Sequence, residues 1–239
     1  MQYGYDSVPT AQQFAAGRVT NPDQSEVIRQ RLYDWQLYPT AGTQQLTFFS
    51  NPVGQGIATA LGAPVGSAKT LSDTNMALPS QLSSGVAYYV ESIEVIFVPG
   101  RDATANTFLP ALPSLFVGVA AAALAAQLND MYTFYESGLL TFNILNKAYL
   151  TETPLRTFPP KTFYEGFAAV SSNSATTGLT EAITMHAAGR PYYIAPPITL
   201  QPAVNFNIAL NWPALVATPS GFNARVGIIL DGYYMRASQ

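Results

Sequence analysis

The run Val86-Ala-Tyr-Tyr-Val-Glu-Ser-Ile-Glu-Val-Ile-Phe-Val98 constrains the fold more than any other stretch of the chain. Its β-branched and aromatic residues favour an extended backbone, in which successive side chains point to opposite faces. Tyr88, Val90, Ser92, Glu94 and Ile96 share one face of such a strand, and Tyr89, Glu91, Ile93, Val95 and Phe97 share the other. Neither face is cleanly polar. The strand therefore needs cover on both sides, from two layers or from a core and a neighbouring subunit.

The remaining chain is punctuated like a β-protein with long loops. Its 17 glycines and 18 prolines fall between short apolar runs rather than inside long ones. Residues 44–49, 139–145, 148–151, 162–164, 191–194, 204–210 and 224–236 read as further strands, with 51–85 as a long Gly/Pro-rich connection. In the 204–210 strand Val204, Phe206, Ile208 and Leu210 alternate with Asn205, Asn207 and Ala209, giving one apolar and one polar face. Leu230-Asp-Gly-Tyr233 reads as a bulge or a turn. One helix is expected over 114–136, from Ser114 as N-cap through an alanine-rich stretch to Gly138. Leu124, Leu128, Met131 and Tyr135 form its apolar stripe. A shorter helix is expected over 23–33, with Asp23 near its positive end and Arg29 and Arg31 near its negative end. The expected division is an N-terminal arm, residues 1–40, followed by an all-β sandwich domain, residues 41–239.

Charge is scarce. Lys and Arg total 11 and Asp and Glu 14, or 10% of the chain, against about 25% in an ordinary soluble domain. Charge keeps a monomer solvated and its copies apart, so this deficit points to a subunit that gives much of its surface to neighbours. The net charge is −3 with no basic arm, which argues against direct nucleic-acid binding. With no cysteine, disulfides and thiolate sites are excluded. The most apolar run, 115–126, is about half the length needed to cross a bilayer. The N-terminal residues lack the pattern of an export signal.

Little in the chain points to catalysis. Gly62-Ala-Pro-Val-Gly-Ser-Ala-Lys-Thr70 superficially resembles a phosphate loop, but Ala68 stands where glycine must precede the lysine, so it reads as a plain loop. His186 is the only histidine and has no paired ligand at metal spacing. Glu91 and Glu94 project to opposite faces, and Glu152, Glu165 and Glu181 are scattered. No enzyme activity, cofactor or metal is expected.

Aromatic doublets are where the large side chains concentrate: Phe48-Phe49, Tyr88-Tyr89, Phe163-Tyr164, Tyr192-Tyr193 and Tyr233-Tyr234. On a strand each doublet sends one ring inward and one outward. Outward rings on so uncharged a chain suit subunit contacts, where Tyr and Phe are enriched. The residues expected at such contacts are Tyr89, Tyr193 and Tyr234, with Tyr3, Tyr5, Trp35 and Tyr38 from the arm.

Several segments, taken in order, resemble the jelly-roll major capsid proteins of tailless icosahedral bacteriophages. They are the passage 128–140, Lys147-Ala-Tyr-Leu-Thr-Glu-Thr-Pro-Leu155 with Phe158-Pro-Pro160, Asn205-Phe-Asn-Ile-Ala-Leu-Asn-Trp-Pro213 and the closing Gly227-Ile-Ile-Leu-Asp-Gly-Tyr-Tyr-Met-Arg236, together with the 86–98 strand. The resemblance implies a structural protein of the virion, made in the host cytoplasm and assembling with itself into trimeric or hexameric capsomers. Other virion proteins such as a penton, and an internal membrane, are the further partners it implies. Too few strands precede Gly138 for a complete first roll, so a single roll is expected and a double roll is the alternative. The rival reading is a carbohydrate-binding β-sandwich, lectin-like or fibre-like, with tyrosines stacking on sugars.

Overall fold

The computed structural model describes residues 25–101, 121–161, 163–173, 176–186 and 189–237. Its elements are β1 (Ser25–Arg29), β2 (Leu32–Tyr38), β3 (Gln45–Phe48), β4 (Val86–Arg101), α1 (Ala121–Ser137), β5 (Leu139–Ile144), β6 (Lys147–Pro154), β7 (Phe163–Asn173), β8 (Thr176–His186), β9 (Tyr192–Leu200), β10 (Phe206–Asn211) and β11 (Asn223–Ala237). They make an all-β sandwich of antiparallel sheets with one helix.

The large sheet runs β1-β11-β4-β9. Strand β11 is long enough to hold two partners end to end on one edge, β2 along Ala224–Leu230 and β1 along Tyr233–Ala237, while β4 pairs with its other edge. The small sheet runs β3-β10-β5-β6, and β7 and β8 form a separate hairpin. Between the two sheets lies one core. The large sheet contributes Leu32, Tyr38, Tyr88, Val90, Ile93, Val95, Ala224, Val226, Ile228 and Leu230, and the small sheet Phe48, Leu140, Phe142, Phe206, Ile208 and Leu210. The alternation read in β10 holds, since Phe206, Ile208 and Leu210 are buried in that core. On its opposite face Asn207 accepts a hydrogen bond from Asn143 on β5, at 3.1 Å.

The strict alternation expected along β4 fails at one point. Tyr88 and Val90 face the core, and beyond Glu91 the core face passes to Ile93, Val95 and Phe97. The cause is a β-bulge: Asp231 on β11 pairs with Ser92, but the next residue, Gly232, pairs with Val90, leaving Glu91 extra. The same step appears between β4 and β9, where Val90 pairs with Ile198 and Ser92 with Tyr193. One inserted residue changes which face every later side chain serves. The Leu230–Tyr233 segment is therefore part of a bulge rather than a turn. Gly232 is required there, because a Cβ would lie 1.8 Å from the Tyr89 carbonyl oxygen.

Two N-terminal expectations need correction. Residues 25–38 are not an arm but two strands of the large sheet, and the helix expected over 23–33 is β1 and β2 wherever it is described. Arg29 and Arg31, read as charges at a helix end, face acidic residues on other strands instead. Arg29 lies 3.4 Å from Asp231, and Arg31 lies 4.0 Å from Glu94. Residues 1–24 lie outside the described residues, as does the Ser114 start of the longer helix. That helix is present as Ala121–Ser137. Phe134 is buried, and Met131 and Tyr135 pack beside it on the core. Phe134 joins Tyr38, Phe97 and Trp212 in an aromatic cluster with ring centroids 4.4–6.1 Å apart.

Gly232→Ala tests the bulge. With the clash against backbone rather than a movable side chain, it should cost about 3 kcal/mol, read as a lower urea midpoint with an unchanged slope.

Candidate functional site

The segment joining β3 to β4, residues 51–85, is long, rich in small residues and nearly without charge: only Lys69 and Asp73 are ionisable. Such a segment has little intrinsic reason to order, so something must hold it. It runs as a strap along the free edge of β2. Trp35 N–H donates to the Asp73 carbonyl at 2.9 Å and Tyr33 N–H to the Asn75 side-chain oxygen at 3.0 Å. The Asn75 amide nitrogen returns a bond to the Arg31 carbonyl at 2.7 Å. An edge strand that would otherwise present unpaired backbone groups is closed.

Both strap charges point inward. Lys69 Nζ lies 2.6 Å from Asp34 Oδ1 on β2, with both side chains at 0% exposure. The other Asp34 oxygen accepts from Phe49 N–H at 2.8 Å and from the Gln36 amide at 3.4 Å. Burial pushes the Asp34 carboxyl above its ordinary value, and the Lys69 ammonium and the Phe49 N–H pull against that rise. The Asp73 carboxylate is held from four directions, by Thr59 N–H at 2.8 Å, the Thr59 hydroxyl at 2.9 Å, Thr70 N–H at 3.2 Å and Arg225 at 3.4 Å. Burial alone would raise Asp73, yet these hydrogen bonds and the Arg225 charge outweigh it and hold the carboxyl below its ordinary value.

Arg225, on β11, also donates to the Ser72 carbonyl at 2.8 Å, and its guanidinium lies 4.0 Å above the Trp35 ring. Trp35 lies over its pairing partner Gly227, where a Cβ would meet the indole at 2.6 Å. Deeper in, Arg101 is 1% exposed and donates to the Ala60 carbonyl of the strap at 3.3 Å. The segment resembling a phosphate loop thus has its lysine committed to a buried carboxylate. Its signal in the sequence was that Lys69 and Asp73 stand alone in 35 otherwise uncharged residues.

The outward side of the strap is the opposite in character. Val53, Ile57, Leu61, Val65, Leu71 and Leu78 are exposed, with Leu71 at 67%. Among the described residues seven charged side chains, Asp34, Lys69, Asp73, Glu94, Arg101, Asp130 and Asp231, are buried, which takes charge off a surface that has little to begin with. Burying the exposed half of one aliphatic side chain is worth about 1 kcal/mol. Six of them therefore reach only the lower part of the roughly 4–15 kcal/mol that association costs. One strap alone does not hold a complex; an apolar surface opposite it is needed.

The aromatic contact residues are distributed differently from expectation. Tyr193 is 47% exposed and Tyr89 half-buried, in keeping with outward rings. Tyr38 is a core residue at 2% exposure, its hydroxyl donating to the Val216 carbonyl. Tyr234 packs on the core with its ring 4.7 Å from that of Tyr88, while its neighbour Tyr233 lies on the other face near Arg29. Strand β11 keeps its alternation past the bulge, so Tyr234 shares the core face of Val226, Ile228 and Leu230, and Tyr233, at 4% exposure, is covered on the other face. Phe48 and Phe49 are both fully buried, because Phe49 leaves the strand with φ 67° and alternation ends there. Trp35 is half-buried under Arg225. Tyr3 and Tyr5 lie outside the described residues. The rings that are exposed include Tyr132 on α1, at 69%, and Tyr149 on β6, at 47%.

Among the described residues no group of three or more His, Asp or Glu side chains could hold a metal ion, and no helix is long and apolar enough to cross a membrane. His186 ends β8 opposite Phe163. No family model matches the chain, and neither the curated proteins nor the solved structures contain a significant match.

Lys69→Met leaves Asp34 buried without its counter-charge, so unfolding free energy should fall by about 3 kcal/mol, and the double variant with Asp34→Leu should recover most of that loss. Asp73 supplies a separate test. Its folded-state value lies below its unfolded one, so its contribution is present at neutral pH and is lost as pH falls through and below the ordinary carboxylate range. Urea midpoints measured from pH 7 to pH 2 should drop in that acid range for the wild type and more shallowly for Asp73→Asn.

Proposed function

We propose that the protein is a structural coat subunit, a single jelly roll that assembles with copies of itself into the icosahedral shell of a tailless bacteriophage. Strand order supports the roll. Numbering β2, β3, β4, β5, β6, β9, β10 and β11 as first to eighth, the large sheet reads first-eighth-third-sixth and the small sheet second-seventh-fourth-fifth. The pairs first-eighth, second-seventh, third-sixth and fourth-fifth are all antiparallel. That is the pairing of one long ribbon folded at the β5–β6 turn and wrapped around a core, two Greek keys in a single roll. The strap, α1 and the β7–β8 hairpin are then insertions in the second-third, third-fourth and fifth-sixth connections.

The observation that carries the assembly reading is the disposition of charge: ionised groups are taken inside to hold the strap, and the strap's outward face is neutral and apolar. A surface of this kind suits copies meeting copies in trimeric or hexameric capsomers, with a penton protein and an internal membrane as further neighbours. It does not suit direct or sequence-specific nucleic-acid binding, which draws on clustered Lys and Arg. The protein's place is the virion, after synthesis in the host cytoplasm.

Light scattering and negative-stain imaging of the purified full chain test this reading. Capsomers or closed particles are expected across a range of salt and protein concentrations. A sharp monomer peak throughout, with no particles in the images, would contradict it.

A further inference from the structure

We propose that the outward face of the strap, residues 51–85, meets the strap of a second copy of this chain across a two-fold axis. The inference rests on the shell reading and names the surface by which two subunits of that shell meet. Three observations carry it.

The first is size. Twenty of the 35 strap residues are exposed, and one partner of a standard interface contributes about 20–30 residues. The strap can by itself supply one side of a stable contact.

The second is charge. Lys69 and Asp73 are the strap's only ionisable residues, and both are buried and paired inward with Asp34 and Arg225. A partner that brought a charge to this face would lose its hydration and find no counter-charge. The matching surface must be neutral and apolar as well. The strap of another copy has that character, and a two-fold axis sets Ile57, Leu61 and Leu71 of one copy against the same residues of the next.

The third is that backbone addition is closed at this edge. The strap already satisfies β2 through Asp73 and Asn75, so a contact here is made by side chains and not by extending the sheet.

The full chain is compared with Leu61→Glu/Leu71→Glu and, as a control on another exposed leucine, Leu215→Glu. The strap variant should keep the wild-type circular dichroism while its particle fraction in sedimentation velocity falls about tenfold or more, as expected for unpaired charge in a neutral interface. Leu215→Glu should assemble normally. Because the chain has no cysteine, Leu71→Cys introduces a single thiol, and oxidised particles should yield disulfide dimers that Leu215→Cys particles do not. This second readout stands if the doubly charged variant fails to fold.

Several results would overturn the inference. Normal assembly of the strap variant would remove the strap from the contact and leave the shell reading intact. Lost assembly without Leu71→Cys dimers would assign the strap a different surface of its neighbour. Normal assembly combined with loss of wild-type binding to phosphatidylcholine vesicles would make the strap a lipid contact. A wild-type chain that stays monomeric would overturn the shell reading itself, and this inference with it.

Discussion

The contact between Lys69 and Asp34 is the constraint on which the outer part of the fold depends. Two opposite charges at 2.6 Å and at 0% exposure attract strongly, but removing both from water costs several kcal/mol each, so such a pair adds little net stability. Its consequence is placement. Lys69 has one buried carboxylate within reach, and that carboxylate is fixed by Phe49 N–H at the end of β3. Meeting it sets the position of the strap along β2, and Asp73 then meets Arg225 over Trp35 and Gly227. A segment with few apolar anchors of its own acquires a single position from two charges. The same two contacts turn Ile57, Leu61 and Leu71 outward.

Three edges of the sandwich, at β2, β9 and β6, are each blunted. At β2 the strap supplies hydrogen bonds. At β9 Pro196 and Pro197 interrupt the ladder, and they are tolerated because β9 is an edge strand. At β6 two register shifts against β5, together with Lys147, Glu152 and Pro154, make a poor template for another strand. A coat subunit whose sheets could add strands freely would assemble without a defined geometry. In the proposed shell, blunted edges would leave side-chain surfaces and loops to set the angles between copies.

How far the sequence disclosed this depends on the element. β4 and β10 were legible because their side chains are dense in β-branched and aromatic residues and their burial is set by one sheet face. Within β4 the change of face at Glu91 was not legible, since a bulge is written in the partner strand, at Gly232, as much as in the strand itself. β1 and β2 were misread because Asp34 and Gln36 stand where apolar residues would alternate, and Arg29 and Arg31 mimicked a helix C-terminus. Both features are explained only by residues far along the chain, Lys69, Asp231 and Glu94. Tyr38 was placed at the surface because it lay in the expected arm, and it is buried because that stretch is β2; Tyr234 was placed outward within its doublet, and the face it shares with Val226, Ile228 and Leu230 turns it to the core. The scarcity of charge was visible from composition. That seven of the charges among the described residues are buried was not.

Charge is directed inward to hold a neutral strap, the face we propose that copies of the chain cover. Hydrogen exchange of the strap, compared between dissociated subunits and assembled particles, measures this most directly. In subunits the amides of Trp35 and Asn75 should be slow, held by the strap–β2 hydrogen bonds, while exposed amides near Ile57, Leu61 and Leu71 exchange quickly. In particles those exposed amides should slow as well, with Trp35 and Asn75 unchanged. Equal exchange of the strap in the two states would contradict the account, because the strap would then face solvent in the assembled shell.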